Sequence, residues 1–497
     1  MPGNESLNRK MEIFVASTTR RTTYQLTFVV LAAGAGFFSM MQSLISPVLS
    51  TIQQDLHTSQ STVTWVLIAY LLSASICTPI LGRVGDMVGK ERVLVIALVG
   101  LAVGCLLAAI APNIGVLIVA RVIQGVGGAV FPLSFGIIRD EFPRIRVPSA
   151  IGAMSALIAA GGGLGIVLAG PIVNALGYRW LFWIPMVVVA LTAVAAYLFV
   201  PESPVRTPGR ISWLATLLLS GWLVALLLPL SEAPVWGWSS PKVIGLLAVA
   251  VVVFAAWAVA EARSANPLID MRMMRLPAVW TTNLAALLFG AAMFAVYGFL
   301  PQFVQTPTIS GYGFGASITE AGLLMLPMLV TMFVAGILSG RVERVFSLKA
   351  QLATGSAFGV LACAALAAAH DERWQIGVAA GVFGLGIGLA FSSMTNLIVK
   401  SVPAQQTGAA AGMNANIRTI GGSIGAAVMS SIVTGDLQSN GLPHEAGYTH
   451  GFATLAVLSL TAVAAALLVP TAGRAARADD AAPVLPSPRD VVGAEAK

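Results

Sequence analysis

Three groups of residues in this chain carry charge or strong hydrogen-bonding capacity inside otherwise apolar sequence. The first is the stretch LGRVGDMVGKERVL, beginning at Leu81, which brings Gly82, Arg83, Asp86, Gly89, Lys90 and Arg92 together between two long apolar runs. Gly82 and Gly89 allow close backbone approach or positive φ. Asp86 is expected near a helix start, where the macrodipole favours a negative charge. Arg83, Lys90 and Arg92 can pair with it or with a neighbouring helix. Such a cluster can lock one conformation and release in another; it can equally be a basic topology turn with an incidental aspartate. The second group is Arg121 and Arg418, each inside an apolar run. A charged arginine at a helix centre costs about 2.5–3.5 kcal/mol on insertion scales, so both must face a polar interior. Either they are structural, bonded to backbone groups, or they give a pocket a fixed positive charge that repels cations and suits neutral or anionic solutes. The third group is Gln42, Gln124, Tyr297, Asn414 and Asn416, at plausible depth in the first, fourth, ninth and thirteenth runs. Phe131 and Phe391 could wall a cavity, and each of these residues also reads as packing. No acidic residue falls near the middle of any run, and Glu320 sits close to the outer end of the tenth. His57, His370, His444 and His450 fall near outer loops, so no buried imidazole relay is visible.

The elements that position these groups follow from composition. The chain has 497 residues, 57% hydrophobic and 10% charged, with a mean hydropathy of +0.86. Soluble domains carry about 25% charged residues, so lipid must be the solvent. A spanning helix needs about 20 apolar residues. Runs of that kind start near Gln25, Thr62, Val93, Gly115, Ser149, Trp180, Ile211, Val243, Ala278, Ile318, Leu352, Trp374, Ala409 and Gly451. Lipid offers no partners for exposed backbone groups, so all are expected to be α-helices. The fold class is therefore an all-α integral membrane protein with about fourteen transmembrane helices.

The net charge of +7 needs no nucleic acid to explain it. With the N-terminus taken as cytoplasmic, most Lys and Arg fall on the inside. Only Arg179, Lys242 and Arg373 lie in outer loops. This positive-inside bias predicts a multi-pass protein of the cell membrane with both termini cytoplasmic. Cys77, Cys105 and Cys363 lie in apolar runs and read as small buried hydrophobes, with no zinc or disulfide pattern. The sequence VGKE at Val88 fails the phosphate-loop pattern, since Val84 stands for the first glycine and Glu91 for Ser or Thr. No metal, nucleotide or other cofactor is expected, and no nucleophile–base cluster points to an enzyme. Trp65, Trp180, Trp183 and Trp374 suit interfacial anchoring.

The chain also repeats itself at almost one offset. Val122 matches Val382, Gly128 matches Gly388, Phe131 matches Phe391, and Pro143 matches Pro403. Gly152, Gly161 and Gly165 match Gly412, Gly421 and Gly425, and Gly82-Arg83-Val84 recurs as Gly340-Arg341-Val342. Duplication of a six-helix unit follows. The boundaries read as a cytoplasmic N-terminal segment (1–23), a first six-helix bundle (24–200), a linker with two extra transmembrane helices (201–276), a second six-helix bundle (277–470) and a disordered cytoplasmic tail (471–497). The glycine rows, including Gly170, are expected to let helices approach closely. Paired halves with a site between them at mid-membrane are a transporter architecture.

The motif G-x-x-x-D-x-x-G-K, from Gly82 to Lys90, resembles the signature loop of the major facilitator superfamily. LIVARVIQGVGGA, with Arg121, Gln124 and Gly125, is similar to a second signature. YRWLFWIP and PLIDMRMMR resemble the branch of fourteen-helix drug:proton antiporters. Two positions depart from that branch. Met41, followed by Gln42, stands where the branch usually has an aspartate. The fifth helix reads GIVLAG, with Ile166 and Ala169, where the branch signature is G-P-x-x-G-G. The resemblance implies proton-driven export of amphipathic compounds by alternating access, with the Asp86 loop holding the cytoplasmic ends together. A transporter of one anionic or neutral metabolite is the alternative. The implied partners are a small amphipathic solute, protons and the lipid bilayer, with the chain acting as a monomer.

Overall fold

The computed structural model describes residues 24–203, 212–264, 267, 269–343, 345–403, 406–439 and 442–470. The terminal segments 1–23 and 471–497 lie outside the described residues. Fourteen long helices are found among those described: α1 (24–43), α2 (Gln60–Val88), α3 (Lys90–Ala109), α4 (Ile114–Glu141), α5 (Val147–Leu176), α6 (Trp180–Phe199), α7 (Trp213–Trp236), α8 (Pro241–Arg263), α9 (Pro277–Gln305), α10 (Ile318–Val342), α11 (Leu348–Ala368), α12 (Arg373–Ser401), α13 (Thr407–Val433) and α14 (Glu445–Leu468). Several starts are capped by side chains: Ser59 accepts from Thr62 N, Asn113 from Val116 N, and Ser317 forms a reciprocal box with Glu320. Such caps satisfy amides that the helix itself leaves unpaired.

Thirteen of these helices are long and apolar enough to cross a membrane. The exception is α13, whose 27 residues give ample length. It falls short in apolarity because Asn414, Asn416, Arg418, Thr419 and Ser423 sit in its middle. Large apolar side chains such as Ile96, Leu191, Val194, Leu217, Val251 and Leu460 project outward, as lipid-facing residues must.

The repeat recurs in the packing. In the first half α5 lies on α1, and in the second α13 lies on α9. A Cβ on Gly161 or Gly165 would collide with the Gly36 or Met40 carbonyl, and one on Gly421 or Gly425 with the Leu287 or Ala291 carbonyl. Other glycine pairs join the halves. Gly152 abuts Ser392 and Gly336, while Gly412 abuts Thr78 and Pro79; Gly82 meets the Gly408 carbonyl, while Gly340 meets Ser149. Thus α5 crosses α10 as α2 crosses α13, which is the arrangement a two-fold relation between halves requires. Gly170 adds a contact with Thr319 at the far end of α5. In α4 the run Gly125–Ala129 tightens to a 3₁₀ turn. There Gly125 and Gly128 press against α2 at Ser73, Ala74 and Thr78.

The inserted pair is asymmetric. Helix α8 packs on α7 and on the short helix Met271–Met274. Helix α7 instead lies across the seam between α2 and α13. Its Leu219, Trp222, Leu223 and Leu227 form a separate apolar cluster with Val279, Ile398, Val402, Met413 and Ile420, backed by Leu72, Ile76 and Ile80 of α2.

Candidate functional site

A cavity of about 410 Å³ lies between the halves. Its walls are α1 and the turn after it (Phe38 to Ser46), α2 (Leu67 to Thr78), α5 (Ile158 to Ile166), α9 (Met293 to Phe299) and α13 (Ala415 to Ser430), with Phe131 of α4 and Phe391 of α12 at its deep end. It stops two turns short of Asp86 on α2 and extends toward the opposite helix ends at Ser46 and Ser430. The lining is largely apolar, with scattered hydroxyls and amides. Arg418 is the one charged lining residue among those described.

Of the residues expected here, Gln42, Phe131, Tyr297, Phe391, Asn416 and Arg418 line this space. Arg418 is 7% exposed, and its guanidinium carbon sits 4.0 Å above the Phe391 ring. Arg121 and Gln124 are fully buried inside the first half, away from the cavity. Arg121 Nε donates to the Val66 carbonyl at 2.9 Å, and Nη1 donates to Gln124 Oε1 at 2.7 Å. Its guanidinium stacks 4.0 Å over Tyr70. Asn414 faces away from the main cavity and donates to Asn283 Oδ1 at 2.8 Å, tying α13 to α9.

The Asp86 end differs from the expected loop. Helix α2 runs through Val88 and α3 begins at Lys90, leaving Gly89 as the lone residue between them. Asp86 therefore sits in the last turn of α2, where the macrodipole disfavours it, and not at a helix start. Two neighbours compensate. Lys90 Nζ lies 3.4 Å from Asp86 Oδ1 and 2.8 Å from Asp140 Oδ2, with all three side chains buried. From the other half, Ala409 N in the first turn of α13 donates to Asp86 Oδ2 at 3.4 Å. The aspartate thus meets the positive end of a helix after all, but one belonging to the opposite bundle. Arg139, in the last turn of α4, does the converse. It donates to the Val402 carbonyl at 2.7 Å, at the negative end of α12, and to Thr407 Oγ1 at 2.6 Å. Asn396 adds a 3.4 Å bond to the Pro148 carbonyl.

Arg83 is largely buried, while Arg92 is exposed and pairs with Glu202 at 3.0 Å. Gly89 has φ +133°, and a Cβ there would strike the Glu202 carboxylate. Gly89→Ala is accordingly expected to destabilise the protein by about 1–3 kcal/mol, seen as a lower thermal midpoint in detergent. An unchanged midpoint would mean that the α2–α3 junction can adopt another geometry.

Sequence reading missed several participants. Arg139 and Asp140 looked like ordinary charges at a helix end; only the fold brings Arg139 onto α12 and α13 and Asp140 onto Lys90. Leu230 and Ser231 of α7 complete the cavity wall, although the inserted helices have no counterpart in the repeat. Glu232, next to them, is 4% exposed, so an acidic group is also buried toward the end of the cavity opposite Asp86. Its place, two residues beyond the apolar stretch LLLPL, was the available signal.

A cavity shared by two related six-helix bundles, sealed at one end by charged groups that reach the helix termini of the opposite bundle, defines a secondary membrane transporter. The Major Facilitator Superfamily model matches residues 31–426, and the chain belongs to that superfamily, whose members are transporters rather than enzymes. Among curated relatives it is similar to the tetracenomycin C resistance and export protein of Streptomyces glaucescens, 27% identical over 82% of this chain and 75% of that one. It is also similar to the methylenomycin A resistance protein of Streptomyces coelicolor, 29% identical over 81% and 84%. Multidrug resistance protein 3 of Bacillus subtilis is 28% identical over 84% and 81%. Among solved structures, the human organic anion transporter MFSD10 (TETRAN) shares the fold with a TM-score of 0.64 at 15% identity, over 90% of this chain and 99% of that one.

Proposed function

We propose that this protein exports amphipathic small molecules across the cell membrane by alternating access, driven by the proton gradient. The observation that carries the reading is the cavity itself. It is lined by both halves, largely apolar with dispersed hydroxyls, closed at the Asp86 end and continued toward the other. The resistance and export proteins to which the chain is similar support efflux of such compounds. The charge bias of the loops supports cytoplasmic termini, which puts the sealed Asp86 end inside and makes this the outward-facing form. In that form Asp86, Lys90 and Arg139 serve as the inner lock. Both cavity walls come from one chain, so a monomer suffices.

Purified protein in liposomes under an imposed pH gradient tests this. A neutral amphiphile, a cationic dye and an organic anion serve as probes. Gradient-dependent movement of an amphipathic probe is expected, falling at least about tenfold in Asp86→Asn, since hydrogen bonds to charged groups contribute about 1.5–3 kcal/mol. Movement of all probes at equal rates with and without the gradient would remove proton coupling from the proposal.

A further inference from the structure

The two arginines buried in mid-helix, Arg121 and Arg418, are in opposite situations. Arg121 has two of its three nitrogens bonded within its own bundle. Arg418 has its positive charge over the Phe391 ring and donates no hydrogen bond to any described residue, although its side chain is more than nine-tenths buried and borders the cavity. No carboxylate of the described residues lines that cavity. A guanidinium in low dielectric without a counter-charge is costly, and the ring beneath it offsets only part of that cost.

We infer that Arg418 is the anchor for an acidic group on the exported compound, and that the preferred substrate class is a flat aromatic or polycyclic molecule bearing one carboxylate or comparably acidic group. The inference rests on the efflux reading and narrows it. A planar guanidinium with its donors free matches a carboxylate two bonds at a time. Tyr297 lies in the same wall, its hydroxyl held, among the described residues, by the Met332 sulfur at 3.4 Å. Phe38 and Phe131 pack edge to face on each other in the cavity wall, 5.0 Å between centroids. With Phe294 and Phe391 they present ring faces and edges to an aromatic body. A volume of about 410 Å³ suits a drug-sized ligand. A cation in the same place would face Arg418 with nothing to offset it.

Three probes of one shape decide the matter: anthracene-9-carboxylate, anthracene-9-carboxamide and 9-(aminomethyl)anthracene, the last a cation at pH 7. Their binding to the full chain in nanodiscs is measured by anthracene fluorescence, with empty nanodiscs subtracted, for wild type, Arg418→Gln and Arg418→Lys. Wild type is expected to bind the carboxylate at least tenfold tighter than the carboxamide, and the ammonium most weakly. Arg418→Gln should erase the carboxylate preference while leaving carboxamide affinity within about twofold, and Arg418→Lys should fall between. Equal or tighter binding of the ammonium by wild type overturns the inference, as does a carboxylate preference that survives Arg418→Gln. Should Arg418→Gln fail to fold, the wild-type ranking and Arg418→Lys still decide. Gradient-driven flux of the carboxamide by wild type reports on efflux separately. A protein that pumps it yet ranks the probes equally refutes the anchor and leaves the transporter intact.

Discussion

Lys90→Ala is expected to be the most damaging single change at the Asp86 end of the bundle. It removes one ammonium and strands two buried carboxylates, Asp86 at 3.4 Å and Asp140 at 2.8 Å. Breaking a buried pair by deleting one partner typically costs 3–5 kcal/mol, and here two acceptors lose their counter-charge together. The stem of Lys90 also packs on Gly136, whose Cβ position lies 2.8 Å from its Cδ and Cε, so alanine leaves a void as well. Asp86→Asn should be milder for folding and more informative for mechanism. Asparagine keeps a carbonyl oxygen for Ala409 N but gives up the charge that holds Lys90 and faces the N-terminus of α13. The fold should survive while the closed Asp86 end loses stability relative to an open one. A loss of about 3 kcal/mol shifts that equilibrium on the order of a hundredfold. The check is labelling of a single cysteine placed at the N-terminal end of α13, beside a thermal melt. Strongly increased labelling with a near-normal melt is expected for Asp86→Asn, and a collapsed melt for Lys90→Ala. If both variants melt and label like wild type, the charged cluster does not hold the halves together.

Gly421→Val carries the second large effect. The Gly421 Cβ position falls on the Leu287 backbone carbonyl of α9, and a backbone cannot rotate aside as a side chain does. Overpacking of this kind typically costs 1–3 kcal/mol and occasionally more. A valine here must push α13 off α9 along its whole length, moving Arg418 and the cavity wall with it. The expected result is loss of a monodisperse peak in detergent. The same change at Gly161, which meets the Gly36 carbonyl in the first half, should do the same. Gly245 of α8 has no atom within 4 Å of its Cβ position; Gly245→Ala should leave yield and melting unchanged. Equal behaviour of all three would show that the glycine rows are not there for close approach.

Sequence alone was enough for the parts of this protein that depend on local composition or on internal repetition. Lipid as solvent, the helices and the duplicated unit all follow from residue types and spacing. A bilayer imposes helix wherever about twenty apolar residues run on, and duplication leaves matching glycines such as Gly161 and Gly421 wherever the same two helices must touch. The run at Ala409 is counted among the spans, although α13 falls short of one by hydropathy, and its glycines also match those of α5. The cavity lining was legible only where a residue's depth was enough to place it, as for Gln42, Tyr297 and Phe391. What a side chain faces depends on rotation about the helix axis and on partners far away in the chain. Arg121 and Arg418 look alike in sequence; one turns into its own bundle and the other toward the gap between bundles. The same limit hid the role of Arg139, whose acceptors lie more than 260 residues away, and that of α7, which closes a seam that exists only once both bundles are in place. The macrodipole argument for Asp86 named the right physical effect on the wrong helix. Which helix terminus an aspartate meets is decided by how two bundles dock, and nothing within LGRVGDMVGKERVL encodes that.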